Sequence, residues 1–364
     1  MSLTLEDLAT GTDHERVVFC RDPEAGYRAV IAVHSSVAGP AVGGTRYWAY
    51  AGEEEAVADA LRLSRGMTFK SLMAGLPMGG GKSVILRDPA DSADRAALFR
   101  AHGRAIERLG GLYTAGEDVG TQPADMETIA QETRHVAGIL DDPSPYTAQG
   151  VVRAMRAAAF HRWGADDLAG RTVAIQGCGN VGFHLARELA TAGARLLVAD
   201  VDPERVRRTV EATGAAAVDS GEIQSVEADI FAPCALGGIL NAGTIPGLRV
   251  EIVAGAANNQ LWEDGDGDRL RDRDILYVPD YVANAGGVIS GGREILGWSG
   301  EKTGERIAGI YDTLLTVLRL ARAEGDATIL VYGAIEPFDE VVTMLDTGGR
   351  ASDEIGRASC RERV

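Results

Sequence analysis

Residues 171–200 read RTVAIQGCGNVGFHLARELATAGARLLVAD, and this stretch decides the fold of the second half of the chain. It predicts a strand, a glycine turn over 177–182, a helix, and a second strand that ends in Asp200. A G-x-G-x-x-G turn between a strand and a helix, with an acid 23 residues after Gly177, is typical of a dinucleotide-binding unit. The glycines let a pyrophosphate approach the free N–H groups at the helix N-terminus. The alternative is a tight strand–helix turn that binds nothing.

Asp200 bears on the choice of dinucleotide. Its carboxylate can accept hydrogen bonds from the adenosine ribose and would repel a 2′-phosphate, which favours NAD over NADP. Arg205 lies close by in the sequence and could soften that preference, so the use of NADP stays open.

Beyond this unit, three more apolar strands are predicted, over 229–235, 250–257 and 274–282, and each ends in small or amide residues. Strands that end in Ala, Asn and Gly along one edge indicate a doubly wound sheet around a cofactor crevice. The asparagines alone are also common in ordinary turns.

The first half of the chain is predicted to be a separate α/β unit around Gly79-Gly80-Gly81-Lys82. Three glycines would leave the backbone bare for a bound molecule and hold Lys82 against it. The alternative is a surface turn with a solvated lysine, and the spacing does not match a phosphate-binding P-loop. A helix that begins in the acidic run 53–55 would deliver Lys70, and a strand and loop over 112–120 would carry Asp118.

Composition limits the classes of function. The 364 residues suffice for two domains, and the formal net charge of −17 argues against nucleic acid or an anionic membrane surface as partner. No apolar run approaches the ~20 residues of a membrane span, and the N-terminus lacks the features of a secretory signal. Four scattered cysteines (Cys20, Cys178, Cys234, Cys360) show no metal-ligand spacing. We therefore expect a cytoplasmic protein with reduced thiols and no metal site.

The Pro- and Asp-rich segment 139–146 is predicted to be a hinge between two domains. Residues 1–144 would form an α/β substrate-binding and catalytic domain, and 145–325 a Rossmann-type, doubly wound NAD-binding domain. A long amphipathic helix with its stop at Gly325 would close the second domain. Residues after about 326 could return to the first domain, whereas 354–364 read EIGRASCRERV, which resembles translated sequencing adapter and is predicted to be a non-native tail.

Nine ordered blocks, covering about residues 14–325, resemble the amino-acid dehydrogenase family of glutamate, leucine, valine and phenylalanine dehydrogenases. The blocks are PAVGGTR, GMTFK, GLPMGGGKSVI, GEDVGT, TAQG, GCGNVG, FAPCALGG, AGAANNQL and DYVANAGGVI. They are more similar to the leucine/valine/phenylalanine branch than to glutamate dehydrogenase. The resemblance implies reversible, NAD-dependent oxidative deamination to a 2-oxo acid and ammonia, in a homo-oligomer. From about Ala327 onward it lapses.

Carried onto matching positions, the resemblance implies a role for each site residue. Lys82 would be the catalytic base, Asp118 would bind the substrate amino group and relay a proton, and Lys70 would bind the substrate carboxylate. Gly44 and Asn258 would line the substrate site. The residues implied to contact NAD are Thr147, Gly177, Cys178, Gly179, Asn180, Val181, Gly182, Phe183, Asp200, Val201, Arg205, Cys234, Ala235, Ala257, Asn258 and Asn284. A base near pH 8 needs a lysine whose pKa lies below the usual ~10.4, and burial beside a second lysine would lower it.

The side-chain pocket is implied to involve Val42, Gly116, Val288 and Gly291. Glutamate dehydrogenases carry a lysine at the position of Val42 for the second substrate carboxylate, so glutamate is disfavoured here. Two glycines suggest room for a phenylalanine-like side chain, with leucine, isoleucine or valine as close alternatives. An inactive NAD-binding protein of the same fold is the competing interpretation.

Overall fold

The computed structural model describes residues 13–87, 94–139, 142–263 and 265–324. The centre of the predicted hinge (140–141), the chain from Gly325 onward, the predicted non-native tail over 354–364 and Cys360 lie outside these ranges. In chain order the described elements are β1 (Arg16–Asp22), β2 (Tyr27–Ser35), β3 (Ala41–Trp48), α1 (Glu53–Met73), β4 (Gly79–Leu86), α2 (Arg95–Glu107), β5 (Tyr113–Glu117), α3 (Pro123–Ala130), α4 (Ser144–Trp163), β6 (Thr172–Gln176), α5 (Asn180–Thr191), β7 (Arg195–Ala199), α6 (Pro203–Thr213), β8 (Ala216–Ala217), β9 (Ile230–Pro233), a 3-10 turn (Ile245–Gly247), β10 (Ile252–Val253), α7 (Gly265–Asp272), β11 (Leu276–Tyr277), α8 (Asp280–Ala283), α9 (Gly286–Leu296), α10 (Gly300–Ala308) and α11 (Ile310–Glu324).

The first sheet contains five strands in the order β1-β2-β4-β3-β5. β1 and β2 form an antiparallel hairpin and β2 is antiparallel to β4, whereas β4, β3 and β5 run parallel. The register aligns Gly44 of β3 with Gly116 of β5, and Thr45 of β3 with Ser83 of β4. Lys82 directly precedes Ser83 in this register, and Asp118 follows β5 two residues beyond Gly116.

The second sheet is parallel, with the strand order β11-β10-β9-β6-β7-β8. Numbered within this sheet, that is the 3-2-1-4-5-6 order of a doubly wound fold, read from the other edge. The topological switch point lies between β6 and β9, because β7 and β8 are added on one side of this pair and β10 and β11 on the other. The predicted α/β class with a Rossmann-type sheet is therefore confirmed.

Helices cover both faces of the first sheet. On one face, Val30 and Val84 pack against Val57 and Leu61 of α1. On the other face, Ile31 and its neighbours pack against α2 and α3. A larger apolar cluster surrounds α4 and the second sheet, and it also includes Phe69 and Met78 from the first half of the chain. The two halves thus share buried contacts beside the cleft.

Several predicted boundaries were wrong. The strand expected over 274–282 is only Leu276–Tyr277, because the chain then turns into the short helix α8. The single long helix expected near the end is two helices, α10 and α11, separated at Gly309, although its predicted apolar stripe is buried. None of the helices among the described residues is both long and apolar enough to cross a membrane.

Candidate active site

Lys82 lies in the middle of β4, a central strand, and the three glycines before it belong to that strand. We expected these glycines to leave bare backbone against a bound molecule, or to form a surface turn, whereas in the structure they are strand residues packed against protein atoms. A Cβ on Gly80 would lie 2.1 Å from the backbone nitrogen of Thr68 in α1, and one on Gly81 would lie 2.6 Å from the Tyr113 ring. The glycines therefore let a helix and an aromatic ring pack directly on the strand, which positions Lys82.

Lys82 and Asp118 form a close ion pair, with 2.8 Å between Nζ and Oδ2. The same carboxylate oxygen accepts a hydrogen bond from Nε of Arg46 at 2.9 Å. The Asp118 backbone is held as well, because its N–H donates to the Thr121 hydroxyl at 2.9 Å. Both members of the predicted base-and-relay pair are thus brought together by β3, β4 and the loop after β5.

The local charges set the protonation of this pair. Burial lowers the pKa of Lys82 and Arg46 adds to that effect, whereas Asp118 opposes it; the result is a lowered pKa. Burial disfavours the Asp118 carboxylate, but the charges of Lys82 and Arg46 outweigh burial and lower the pKa of Asp118 to about 2. Asp118 is therefore an anion at neutral pH, and Lys82 gives up its proton more readily than an ordinary lysine.

Gly44 faces this pair from β3. A Cβ at that position would lie 2.7 Å from the Asp118 Cβ and 3.2 Å from the Lys82 Nζ. Only a residue without a side chain leaves the two groups where they are, so Gly44 belongs to the same site, as expected.

Lys70 lies near the end of α1 and reaches across to the second half of the chain. Its Nζ donates to Oδ1 of Asn258 at 2.9 Å, and the Asn284 amide donates to the same oxygen at 2.8 Å. The three predicted site residues therefore meet in one hydrogen-bonded chain. The Oδ1 atom of Asn284 is buried and has no hydrogen-bond partner among the described residues.

Burial lowers the pKa of Lys70 to about 8, against the attraction of the buried Asp280 carboxylate, and Lys82 acts in the same direction as burial. An anion bound beside Lys70 would favour its charged form. Lys70 is thus suited to bind the carboxylate of a ligand, whereas Lys82 is already paired with the Asp118 carboxylate.

The glycine turn of the second sheet lies where the strand order reverses. A Cβ on Gly177, whose φ is +102°, would lie 2.9 Å from the backbone nitrogen of Ala235, and one on Gly182 would lie 1.9 Å from the Gly177 carbonyl oxygen. At Gly179, which precedes the first turn of α5, no atom of the part of the chain that the structure describes comes within 4 Å of an added Cβ. Two glycines are needed for close packing, and the third leaves the helix N-terminus open for an anion.

Asp200 follows β7 and points at this turn. Its Oδ2 accepts a hydrogen bond from the N–H of Cys178 at 2.7 Å, and its Oδ1 accepts one from the N–H of Asp202 at 2.9 Å. Arg205 pairs with Asp202 at 3.4 Å. Val201 is 89% exposed beside Asp200, which is unusual for an apolar residue.

The remaining predicted NAD contacts fall into three places. Thr147, on α4, contacts the start of α9, since a Cβ on Gly287 would lie 2.7 Å from its hydroxyl. The N–H of Ala257 donates to the Pro233 carbonyl at 2.9 Å, which brings that loop to the end of β9 beside Cys234. Asn180, Val181 and Phe183 occupy the first turn of α5, where Arg208 lies over the Phe183 ring at 4.3 Å.

The four positions expected to shape the side-chain pocket are all apolar. Val42 is buried among the apolar residues at the cleft, and Val288 packs at its margin. Among the described residues, a Cβ at Gly116 would have one neighbour, the Ala137 carbonyl oxygen at 3.8 Å, and one at Gly291 would have none within 4 Å. Both glycines thus border open space.

Sequence analysis missed Arg46, Thr121 and Asp59. Arg46 and Thr121 are the last residues of two of the quoted blocks, PAVGGTR and GEDVGT. The blocks could have pointed to both residues, but the resemblance implied no role for either. Asp59 carries no comparable signal on the polar side of α1. Among the described residues, no group of three or more His, Cys, Asp or Glu side chains is arranged to hold a metal ion.

Comparison with known proteins gives consistent matches. The family model "Glu/Leu/Phe/Val dehydrogenase, dimerisation domain" matches residues 14–135, and "Glutamate/Leucine/Phenylalanine/Valine dehydrogenase" matches 138–206 and 199–337. A leucine dehydrogenase of Geobacillus stearothermophilus is 51% identical over 87% of this chain and 88% of its own length. A valine dehydrogenase of Streptomyces albus is 47% identical over 86% and 88%. The crystal structure of L-tryptophan dehydrogenase from Nostoc punctiforme superposes with a TM-score of 0.79 at 42% identity, covering 95% of this chain and 98% of that one.

Proposed function

This chain belongs to the Glu/Leu/Phe/Val dehydrogenase family, and from that premise we propose that it oxidises a bulky apolar L-amino acid with NAD. The products are the 2-oxo acid, ammonia and NADH, and the reaction is reversible. The single observation that carries the proposal is the buried Lys82–Asp118 pair, 2.8 Å apart, with Lys70 close enough to interact electrostatically with both.

Lys82 acts as the general base. Loss of hydride from the substrate Cα leaves an iminium, and a water molecule must lose a proton as it attacks that carbon. A lysine whose pKa is lowered by burial is neutral often enough to accept this proton. Asp118 remains ionised beside it, orients the amine and interacts with the substrate amino group.

Lys70 binds the substrate carboxylate. Its bond to Asn258 links the two halves of the chain across the cleft, so a carboxylate held at Lys70 lies next to the second sheet. In this proposal the substrate Cα would lie between the Lys82–Asp118 pair and the edge of the second sheet at which the dinucleotide would bind.

NAD supplies the hydride acceptor. Three features support its binding: the reversal of strand order between β6 and β9, the uncapped start of α5 behind Gly179, and the Asp200 carboxylate at the turn. The turn residues would hold the pyrophosphate, and Asp200 would bind the adenosine ribose. Preference for NAD over NADP follows from the negative charge of Asp200.

The substrate side chain would lie against Val42, Gly116, Val288 and Gly291. Open space at the two glycines supports a large apolar side chain, and the absence of a cation at Val42 disfavours glutamate. The relatives named above act on leucine, valine and tryptophan by their names. A phenylalanine-like preference stays a prediction, with leucine and valine as its competitors.

The scarcity of lysine supports a catalytic role. Only three of the 36 lysine and arginine residues are lysines: Lys70, Lys82 and Lys302. Arginine does not deprotonate in proteins, so of these two cationic residue types only lysine can serve as a general base. Two of three lysines lie in the cleft, which the competing interpretation of an inactive NAD-binding protein does not explain.

The same proposal covers organisation and assembly. Residues 1–144 would be the substrate and catalytic domain and 145–325 the NAD-binding domain, in a cytoplasmic homo-oligomer. The description "dimerisation domain" for the model that matches 14–135 supports association through the first half.

NADH formation by the purified chain with leucine, valine, phenylalanine, tryptophan and glutamate, each with NAD and with NADP, tests the function. We expect turnover of the apolar amino acids with NAD. Lys82→Ala should lower kcat by about 10²–10⁴-fold, the contribution of a general base, without weakening NADH binding. Lys302→Ala, at an exposed lysine paired with Glu305, is the matched control and should behave as wild type. Retained turnover in Lys82→Ala would refute the assignment of the base.

A further inference from the structure

Arg46 lies between two carboxylates and has no role in the reaction as described so far. Its Nε donates to Asp118 Oδ2 at 2.9 Å, and its Nη1 donates to Asp59 Oδ2 at 2.7 Å. The side chain is 19% exposed, so both contacts are made largely out of water. One arginine therefore joins the relay carboxylate to a second carboxylate on α1.

Asp59 is itself held in place. The Tyr50 hydroxyl donates to its Oδ2 at 2.6 Å, and Arg62 donates to its Oδ1 at 2.9 Å. The resulting chain of contacts alternates in charge from Asp59 to Arg46, Asp118 and Lys82. Asp59, the anchor of Arg46, is thus held by two donors besides the arginine.

Three of the elements packed around Lys82 contribute charge. Arg46 comes from β3, Asp118 from the loop after β5, and Asp59 from α1, and all three interact electrostatically with Lys82. Lys70 interacts with both Lys82 and Asp118. Two other titratable groups, Tyr113 and Glu117, interact electrostatically with Asp118. Three more interact with neighbours of the pair: Tyr50 with Arg46, Arg62 with Asp59, and Asp280 with Lys70. Among all these groups, the two cations in direct contact with Asp118 are Lys82 and Arg46.

We propose that Arg46 is a positioning residue, which keeps Asp118 ionised and oriented and disfavours the charged form of Lys82. This inference rests on the proposed function, because it assigns how the base of that reaction is made easier to deprotonate. Asp118 alone would hold Lys82 as an ammonium ion. Because Oδ2 of Asp118 also accepts a hydrogen bond from Arg46, it stabilises the ammonium form of Lys82 less strongly. The Arg46 guanidinium stays charged at every pH at which the Lys82 amine titrates.

The titration of Lys82 can be measured without turnover, because the sequence contains three lysines. Only a neutral amine reacts with acetic anhydride, so trace labelling across pH, resolved by peptide mass spectrometry, gives a midpoint for each lysine. Lys302 is an internal reference. The variants are Arg46→Met, Arg46→Gln and Arg46→Lys, and the matched control is Arg62→Met, which removes a partner of Asp59 that does not reach Asp118.

We expect the Lys82 midpoint to rise by about one pH unit in Arg46→Met and Arg46→Gln, as for loss of a nearby positive charge. Arg46→Lys should return most of the way to the wild-type midpoint, and Arg62→Met should leave it unchanged. The glutamine variant serves where the methionine variant does not fold. An unchanged Lys82 midpoint in a folded, uncharged variant would overturn the proposal, as would an equal rise in Arg46→Lys.

Turnover provides a second readout. In Arg46→Met and Arg46→Gln, the acidic limb of the plot of kcat/KM against pH should move to higher pH by the same amount as the Lys82 midpoint. Because one pH unit changes the neutral fraction of Lys82 tenfold, activity at pH 7 should fall roughly tenfold. A wild-type chain that oxidises no amino acid would refute the proposed function. Labelling would still decide whether Arg46 controls the titration of Lys82, so the two failures are distinguishable.

Discussion

At the scale of single residues, Gly116 and Gly291 are the positions at which we propose that one added carbon alters the substrate range. Neither is forced to be glycine by its backbone, since neither has a positive φ. Neither has a close neighbour that would clash with a Cβ, in contrast to Gly44. The space that a side chain would fill at these two positions is therefore available to a ligand.

Gly116→Ala should lower kcat/KM for phenylalanine relative to leucine by about tenfold or more, because a single methyl group in an apolar pocket discriminates by that order. The ratio of the two specificity constants is the measurement. Gly304→Ala is a suitable control, because that exposed helical position is also open but lies on α10. An unchanged ratio would mean that the substrate side chain does not reach Gly116.

At the scale of elements, β4 carries the site because its neighbours can approach it closely. Helix α1 packs on Gly80, and the ring of Tyr113 packs on Gly81. The Tyr113 hydroxyl donates to the Gly43 carbonyl at 2.7 Å, which joins β3 to the same arrangement. Lys70 and Lys82, on separate elements, are thereby kept at a fixed spacing.

Gly80→Ala should separate α1 from β4, because the new Cβ would lie 2.1 Å from a backbone atom that cannot rotate away. We expect a loss of about 1–3 kcal/mol in the free energy of unfolding, typical of overpacking, together with lower kcat. Urea denaturation measures the first effect. Gly66→Ala, at an open position on the same helix, should instead stabilise by up to about 1 kcal/mol. Equal stability of Gly80→Ala and wild type would contradict this account of the glycines.

At the scale of the whole molecule, a buried polar network lies beneath the active site, on the far side of the first sheet. His102 of α2 is fully buried and contacts Tyr27, Ser83 and, at 3.4 Å, Thr45. Burial lowers its pKa to about 3. Ser83 and Thr45 adjoin Lys82 and Gly44, so the histidine supports the strands that hold the site.

His102 makes stability depend on pH. In the unfolded chain its pKa is ~6.5, so below that pH the unfolded chain takes up a proton that the folded chain does not. Stability therefore falls as the pH is lowered from about 6.5 towards 3, by roughly 1 kcal/mol per pH unit from this residue. Free energies of unfolding of His102→Gln and wild type at pH 6.5 and 5 test this. The variant should lose less on acidification, and equal losses would refute the contribution.

The sequence by itself determined the α/β class and the Rossmann-type unit, and it supplied most of the residues that we propose for the site. These depend on local features, namely the glycine turn between a strand and a helix, the acid at the end of the next strand, and lysines in recognisable blocks. Local spacing controls which backbone conformations are accessible, so it can be read from neighbouring residues alone.

Only the tertiary structure decided how those residues meet. The glycine triplet became part of a packed strand, Arg46 came to share Asp118 with Lys82, and Asp59 became its anchor. Lys70 met Asn258, 188 positions further along the chain. Such contacts depend on strand order, register and the packing of helices on sheets, which bring distant segments together, and the electrostatics of the site follow from those distances.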